Sequence, residues 1–160
     1  MESIQLSELE EIAKYSTLDI VKVTGIPMER LRDWLNRGYI EPTLPSLGQG
    51  RKALFSDVAI YGIELFQKLI TRGFSRQAAA DLIKNFTAIG SVLGSTTHII
   101  FVRQKTDGKE NINVIHLAGY PPPDNFNIMP ILTQQDVEDV YIVNIQDIRD
   151  RVDRELSNQV

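Results

Sequence analysis

The chain has 160 residues, 42% hydrophobic and 24% charged, with no cysteine and a formal net charge of −4. That balance is ordinary for a soluble globular chain, long enough for one domain or two small ones. The missing cysteine excludes disulfides, thiolate metal sites, cysteine nucleophiles and thiol redox sensing. No apolar run approaches the roughly 20 residues of a bilayer-spanning helix. The acidic start MESIQLSELEEIAKY lacks a basic segment ahead of an apolar one, so no signal peptide is expected. A cytoplasmic protein with no membrane partner is the expectation. The charge is unevenly spread. Residues 1–13 carry four Glu and no base, residues 14–85 carry 11 basic against 7 acidic side chains, and residues 86–160 carry 6 against 10. Phosphate binding follows the local field, so the middle block is the one plausible polyanion surface.

In chain order, Ser7 with Glu10 forms a capping box, and Leu6, Leu9 and Ile12 recur at helical spacing. A short amphipathic helix over 8–14 is predicted. A second cap at Ser16 or Thr17 opens a brief helix with Leu18, Val21 and Ile20 inward. Gly25 supplies a turn, and Pro27 suits the first turn of the next helix. Leu31, Trp34 and Leu35 make one apolar stripe, and Gly38 closes it. The stretch EPTLPSLGQGRKALF cannot be helix. Gly48 to Gly50 is read as a hairpin tip, with 52–55 as the returning strand. Ser56 caps a helix whose buried side is marked by Val58, Leu65, Phe66, Leu69 and Ile70. Gly73 ends it, and Ser75 caps another over 76–85.

After Phe86 the small-residue stretch AIGSVLGSTT predicts a linker over 87–96. Two β-branched segments, 98–103 and 112–117, flank Asp107-Gly108, a strong hairpin turn signal. The proline-rich GYPPPDNFN is a loop, Asp136, Glu138 and Asp139 are read as a solvated helix start, and 140–145 is a third strand. A terminal helix over 147–156 places Ile148, Val152 and Leu156 on one face. His98 and His116 fall on adjacent strands and could face each other. Two histidines without a third ligand make a poor metal site, so strand surface is the preferred reading. No phosphate-cradling glycine motif and no serine nucleophile elbow occurs, so no enzyme and no cofactor is expected.

The order of these signals resembles the DNA-binding domain of MerR-type transcriptional regulators. The resemblance runs from Tyr15 to about Ile83 and is carried by Leu31-Arg32 and Trp34 before Gly38, then Tyr39-Ile40 and Pro42. Arg51 and Lys52 in a glycine-containing wing, Phe55-Ser56-Asp57 and Arg72-Gly73-Phe74-Ser75 follow. It implies a mainly helical winged helix-turn-helix over 15–86 whose partner is double-stranded DNA. By that likeness, Met28, Glu29 and Arg30 at the start of the second helix are the base-contact candidates. Arg32 matches the family's backbone-contacting arginine, and Arg51 and Lys52 match the wing. Thr17 and Arg37 complete the candidate set, with Trp34 as either a contact through its indole N–H or a core residue. Relatives commonly carry two tyrosines where Asp33 and Trp34 stand here.

The family's long helix that pairs antiparallel with a partner is absent from 86–135, where prolines, glycines and β-branched runs forbid it. Residues 97–160 are instead expected to form a small α+β domain of about three strands and a terminal helix, the whole chain being α+β. Such a thin core gains from self-association, so a homodimer through this domain is expected, with the terminal helix as a candidate contact. A small-molecule or protein effector could bind there. Other uses of the same scaffold are a protein–protein interaction adaptor and a phage or plasmid DNA-handling accessory of the excisionase kind.

Overall fold

Ser16 organises the first well-packed helix. A computed structural model describes residues 6–46, 48, 50–88, 92–117 and 127–159. In it, α1 (Leu6–Ile12) and strand β1 (Tyr15–Ser16) lead into α2 (Thr17–Thr24). The Ser16 hydroxyl accepts from Asp19 N–H at 3.4 Å, while the Ser16 N–H and hydroxyl donate to Asp19 Oδ2 at 2.8 and 2.7 Å. This reciprocal box satisfies donors that a helix start leaves open. The hydrogen bond from the Ser16 side chain is the main reason the Asp19 carboxyl sits below its ordinary value of 3.8, with Lys22 and Lys52 helping and burial opposing. Because the folded value is the lower one, this contribution is complete above about pH 3.8 and is lost as pH falls through the folded value. Ser16→Ala is expected to cost about 1 kcal/mol at neutral pH and to flatten the acid limb of the stability curve, as read by urea unfolding across pH.

The chain forms two units, one of residues 1–94 with 148–160 and the other of residues 95–147. In the first, α2 is followed by α3 (Met28–Asn36), β2 (Leu54–Phe55), α4 (Asp57–Thr71), α5 (Arg76–Ala88) and a short α6 (Val92–Ser95). Ser56 caps α4 by accepting from Ala59 N–H at 3.2 Å, and Ser75 accepts from Ala78 N–H at 3.1 Å ahead of α5. Helix α4 is buried continuously from Ile60 to Phe66 and again at Leu69, so it is the central helix around which the unit packs. Phe74, Ala79, Ala80, Ile83 and Phe86 bury one side of α5.

Several expectations change in this unit. Helix α1 begins at Leu6, so Ser7 lies inside it and does not cap it. Its apolar stripe is left open, with Leu6 54% and Ile12 49% exposed. In α2 the inward pair is Ile20 and Val23, while Leu18, expected inside, is 53% exposed. A two-turn helix can bury only a narrow stripe, and the Gly25 turn aligns that stripe with Ile26. The returning strand of the wing is only Leu54–Phe55, and its ladder partner is β1, Tyr15 opposite Phe55 and Ser16 opposite Leu54. Part of the expected linker is helical: α6 holds Leu93 fully buried.

The second unit contains a three-stranded antiparallel sheet in the order β4-β3-β5, built from β3 (His98–Thr106), β4 (Lys109–Leu117) and β5 (Val137–Asn144), with a short α7 (Met129–Leu132) before β5. Asp107 and Gly108 both have positive φ, 52° and 76°, which is the two-residue turn their sequence calls for. The central strand buries Ile99, Ile100, Phe101 and Val102. Glu138 and Asp139 are strand residues rather than a helix start; Asp139 lies 3.9 Å from Arg103 and Glu138 4.0 Å from Lys105 across the ladder. The register sets His98 opposite Leu117 and Ile99 opposite His116, so the two histidines are not cross-strand partners. The proline-rich stretch from 118 to 126, the tip residues Leu47 and Gln49, and 89–91 lie outside the described residues.

The terminal helix α8 (Ile145–Ser157) also departs from expectation. From Ile148 onward it belongs to the first unit, where Arg151 pairs with Glu64 of α4 and the Tyr61 hydroxyl of α4 donates to Asp153 at 2.5 Å. Arg149 donates to the Leu93 carbonyl at 2.6 Å. Ile148, Val152 and Leu156 form the expected buried stripe, but it serves the helical core and not a self-contained C-terminal domain.

Candidate nucleic-acid interface

The turn between α2 and α3 fixes how the second helix is presented. Gly25 has φ 69°, a conformation that side chains with a Cβ rarely adopt, and its N–H reaches the Val21 carbonyl at 2.9 Å. Thr24 Oγ1 donates to Ile20 O at 2.7 Å and accepts from Ile26 N–H at 3.2 Å, which locks the corner. Pro27, extended at φ −57° and ψ 138°, stands just before the first helical residue, and its carbonyl accepts from Leu31 N–H at 3.1 Å.

Two side chains anchor α3. Leu31 is fully buried, and Trp34 is 1% exposed with its ring edge-on to Phe66 of α4 at 4.9 Å and 72°. Of the two expected roles for Trp34, burial leaves only the core one. At the far end Gly38 N–H reaches Leu35 O and Tyr39 N–H reaches Trp34 O, both at 3.0 Å, the paired bonds of a Schellman end, with Gly38 at φ 69°. With that face committed, Glu29, Arg30, Arg32 and Arg37 are exposed and Met28 is half-buried.

The Asp33 side chain is not aimed at solvent alone. Its carboxylate accepts from Arg37 Nε at 2.6 Å, one turn along the same helix. That hydrogen bond is the leading cause of the raised Arg37 value. The two charges offset each other, so Asp33 presents little free negative field and Arg37 little free positive field.

The wing is a narrow loop closed by mutual backbone bonds between Leu44 and Leu54 at 2.9 Å and by Ser46 Oγ donating to Arg51 O at 2.6 Å. Arg51 and Lys52 are exposed on its returning side. Thr17, Met28, Arg32 and Lys52, which come from α2, α3 and the wing, line one surface depression of about 340 Å³. Leu18, Leu35 and Ala53 supply its apolar floor. Glu29, Arg30 and Arg37 do not line it, and Arg51 lines a separate depression beside Leu44 and Pro45. The depression thus combines two cations, the α2 N-terminus and an apolar base, a suitable seat for a sugar-phosphate strand. Leu18 and Ala53 were missed by sequence reasoning. The available signal was that Leu18 falls out of step with Ile20 and Val23 and lies in the first turn, two residues after the Ser16 cap.

No curated protein matches the chain. Residues 15–85 match the family described as MerR HTH family regulatory protein. The match spans the capped α2, the Gly25 corner, α3, the wing, α4 and most of α5. The N-terminal part of this chain, residues 15–85, is therefore a MerR-type helix-turn-helix domain.

Proposed function

We propose that the protein is a sequence-specific, double-stranded-DNA-binding transcriptional regulator that acts as a cytoplasmic homodimer. The observation that carries this reading is the depression shared by Thr17, Met28, Arg32 and Lys52, beside an α3 whose N-terminal residues Glu29 and Arg30 remain exposed. Arg32, Lys52 and Thr17 hold the phosphate strand, Arg51 extends the contact along the wing, and Met28, Glu29 and Arg30 meet base edges. Among the described residues no helix is long and apolar enough to cross a membrane.

The second unit supports the dimer. Its sheet has β3 in the middle, so β4 and β5 are both edges among the described residues. Ile142 on β5 is 50% exposed, and Met129 and Leu132 of α7 are 55% and 48% exposed. An open sheet edge is a template on which a second chain can pair, and exposed apolar side chains beside it favour such a contact. A small-molecule or protein effector at this unit is part of the same reading.

Selection from random duplexes followed by gel shift tests it. Enrichment of a two-half-site sequence is expected, with an affinity that falls steeply as salt rises. If no sequence is enriched and affinity for every duplex is indifferent to salt, the scaffold serves a protein partner instead.

A further inference from the structure

We propose that the helix-turn-helix unit carries a second site, a receptor for a small, neutral, largely apolar molecule, in the cavity beneath α1. The cavity has a volume of about 310 Å³ and lies among α1, the segment after α3, α4 and α5. Leu9 and Ile12 form its α1 wall, and Pro42, Ala59, Ile63 and Ile83 form the opposite walls.

Three observations point to a ligand. First, α1 has no buried residue, and Ile12 is about half exposed although it lines the cavity. The helix therefore roofs an apolar space without filling it. Protein interiors are ordinarily packed to crystal-like density, and walls left without partner atoms lose their dispersion contacts. Second, the floor is apolar: Ile63 and Ile83 line it and are only 2% and 5% exposed. Third, besides Tyr39 the polar lining residues are paired with one another. The Thr43 and Ser56 hydroxyls, 3.1 Å apart, line the wall, and Lys84 at the rim is matched to Glu41 at 3.0 Å.

These features set the chemical class. The rim cation is matched by a carboxylate, so an anionic ligand would have to displace it, and no carboxylate stands spare for a cation. The hydroxyls can bond one polar group on an otherwise apolar body. The volume lies at the lower end of the range for small-molecule pockets. The position also adjoins the wing, since Ser56 N–H donates to Thr43 Oγ1 at 2.9 Å and Leu44 next to it closes the wing.

The test uses the full chain and N-phenyl-1-naphthylamine, a neutral fluorophore that brightens in apolar surroundings. A saturable rise with one site per chain is expected. Ala59→Leu, which fills the cavity, should weaken binding about tenfold or more, and Ile12→Glu should weaken it several-fold by placing a charge in the wall. Ala53→Leu, in the separate depression near Lys52, should leave it unchanged. Lack of saturable binding by the folded wild-type chain overturns the proposal. So does wild-type binding by both Ala59→Leu and Ile12→Glu. If circular dichroism shows that Ala59→Leu does not fold, the half-exposed Ile12 variant decides. No arm depends on DNA, so failure here and failure of the regulator reading are separable.

Discussion

Arg151→Ala is expected to destabilise the chain by about 3 kcal/mol, the lower end of the cost of breaking a buried ion pair. Its partner Glu64 lies within the continuously buried stretch of α4, with its side chain 6% exposed. Arg151 meets it with both terminal nitrogens, at 3.2 and 2.7 Å, the planar fork that suits a carboxylate. Removing the arginine leaves a carboxylate with little access to water, and that desolvation is the larger part of the loss. The estimate sits at the lower end because Arg151 is itself 34% exposed and water screens its side of the pair. Close by, the Tyr61 hydroxyl donates to Asp153, and burial, followed by that hydrogen bond, raises its ionisation above the ordinary phenol value, so the donor stays protonated at neutral pH. This second latch between α4 and α8 should keep the variant folded. Urea unfolding of the full chain measures the loss. The double variant Glu64→Met with Arg151→Met should recover most of it, since two apolar side chains leave no stranded charge. A loss below about 1 kcal/mol for Arg151→Ala would place the pair among ordinary surface salt bridges.

That latch also shows where sequence reading stops. The helix-turn-helix was legible because its signals are local. Ser16 and Ser56 cap within three residues, Gly25 and Gly38 end their helices by backbone geometry, and Leu31 with Trp34 states a buried face by spacing alone. Asp107-Gly108 fixed the β3–β4 turn in the same way. What could not be read depends on partners distant in sequence. The stripe Ile148, Val152 and Leu156 declares that α8 buries a face, but periodicity does not say against what. Glu64 between Ile63 and Leu65 was a usable clue, because a carboxylate in a buried apolar run requires a cation. Its cation stands 87 residues away. The pairing of Tyr15–Ser16 with Leu54–Phe55 is likewise too short and too remote for pattern recognition. At the candidate interface the family resemblance named Arg32 and Lys52, but only the fold put them in one depression with Thr17 and Met28.

Two arginines two residues apart on α3 should therefore fail differently. Arg32 lines the depression with Thr17 and Lys52, whereas Arg30 is exposed outside it. Arg32→Ala is expected to weaken binding to every duplex by a similar factor and to lower the magnitude of the salt slope by about one, the signature of one lost phosphate contact. Lys52→Ala should reproduce that behaviour, since it offers a second cation to the same strand. Arg30→Ala should instead cost about 1 to 3 kcal/mol on the selected site and little on unrelated duplexes, relaxing the preference at one base position. Paired titrations of the selected and a scrambled duplex at several salt concentrations separate the two outcomes. The proximity of Asp33 adds an internal check. It is held by Arg37 at 2.6 Å, so Arg37→Ala frees its carboxylate and should weaken all duplexes through repulsion, although Arg37 lies outside the depression. Asp33→Asn in that background should restore binding. Identical salt slopes and identical sequence profiles for Arg30→Ala and Arg32→Ala would show that the depression is not the phosphate seat.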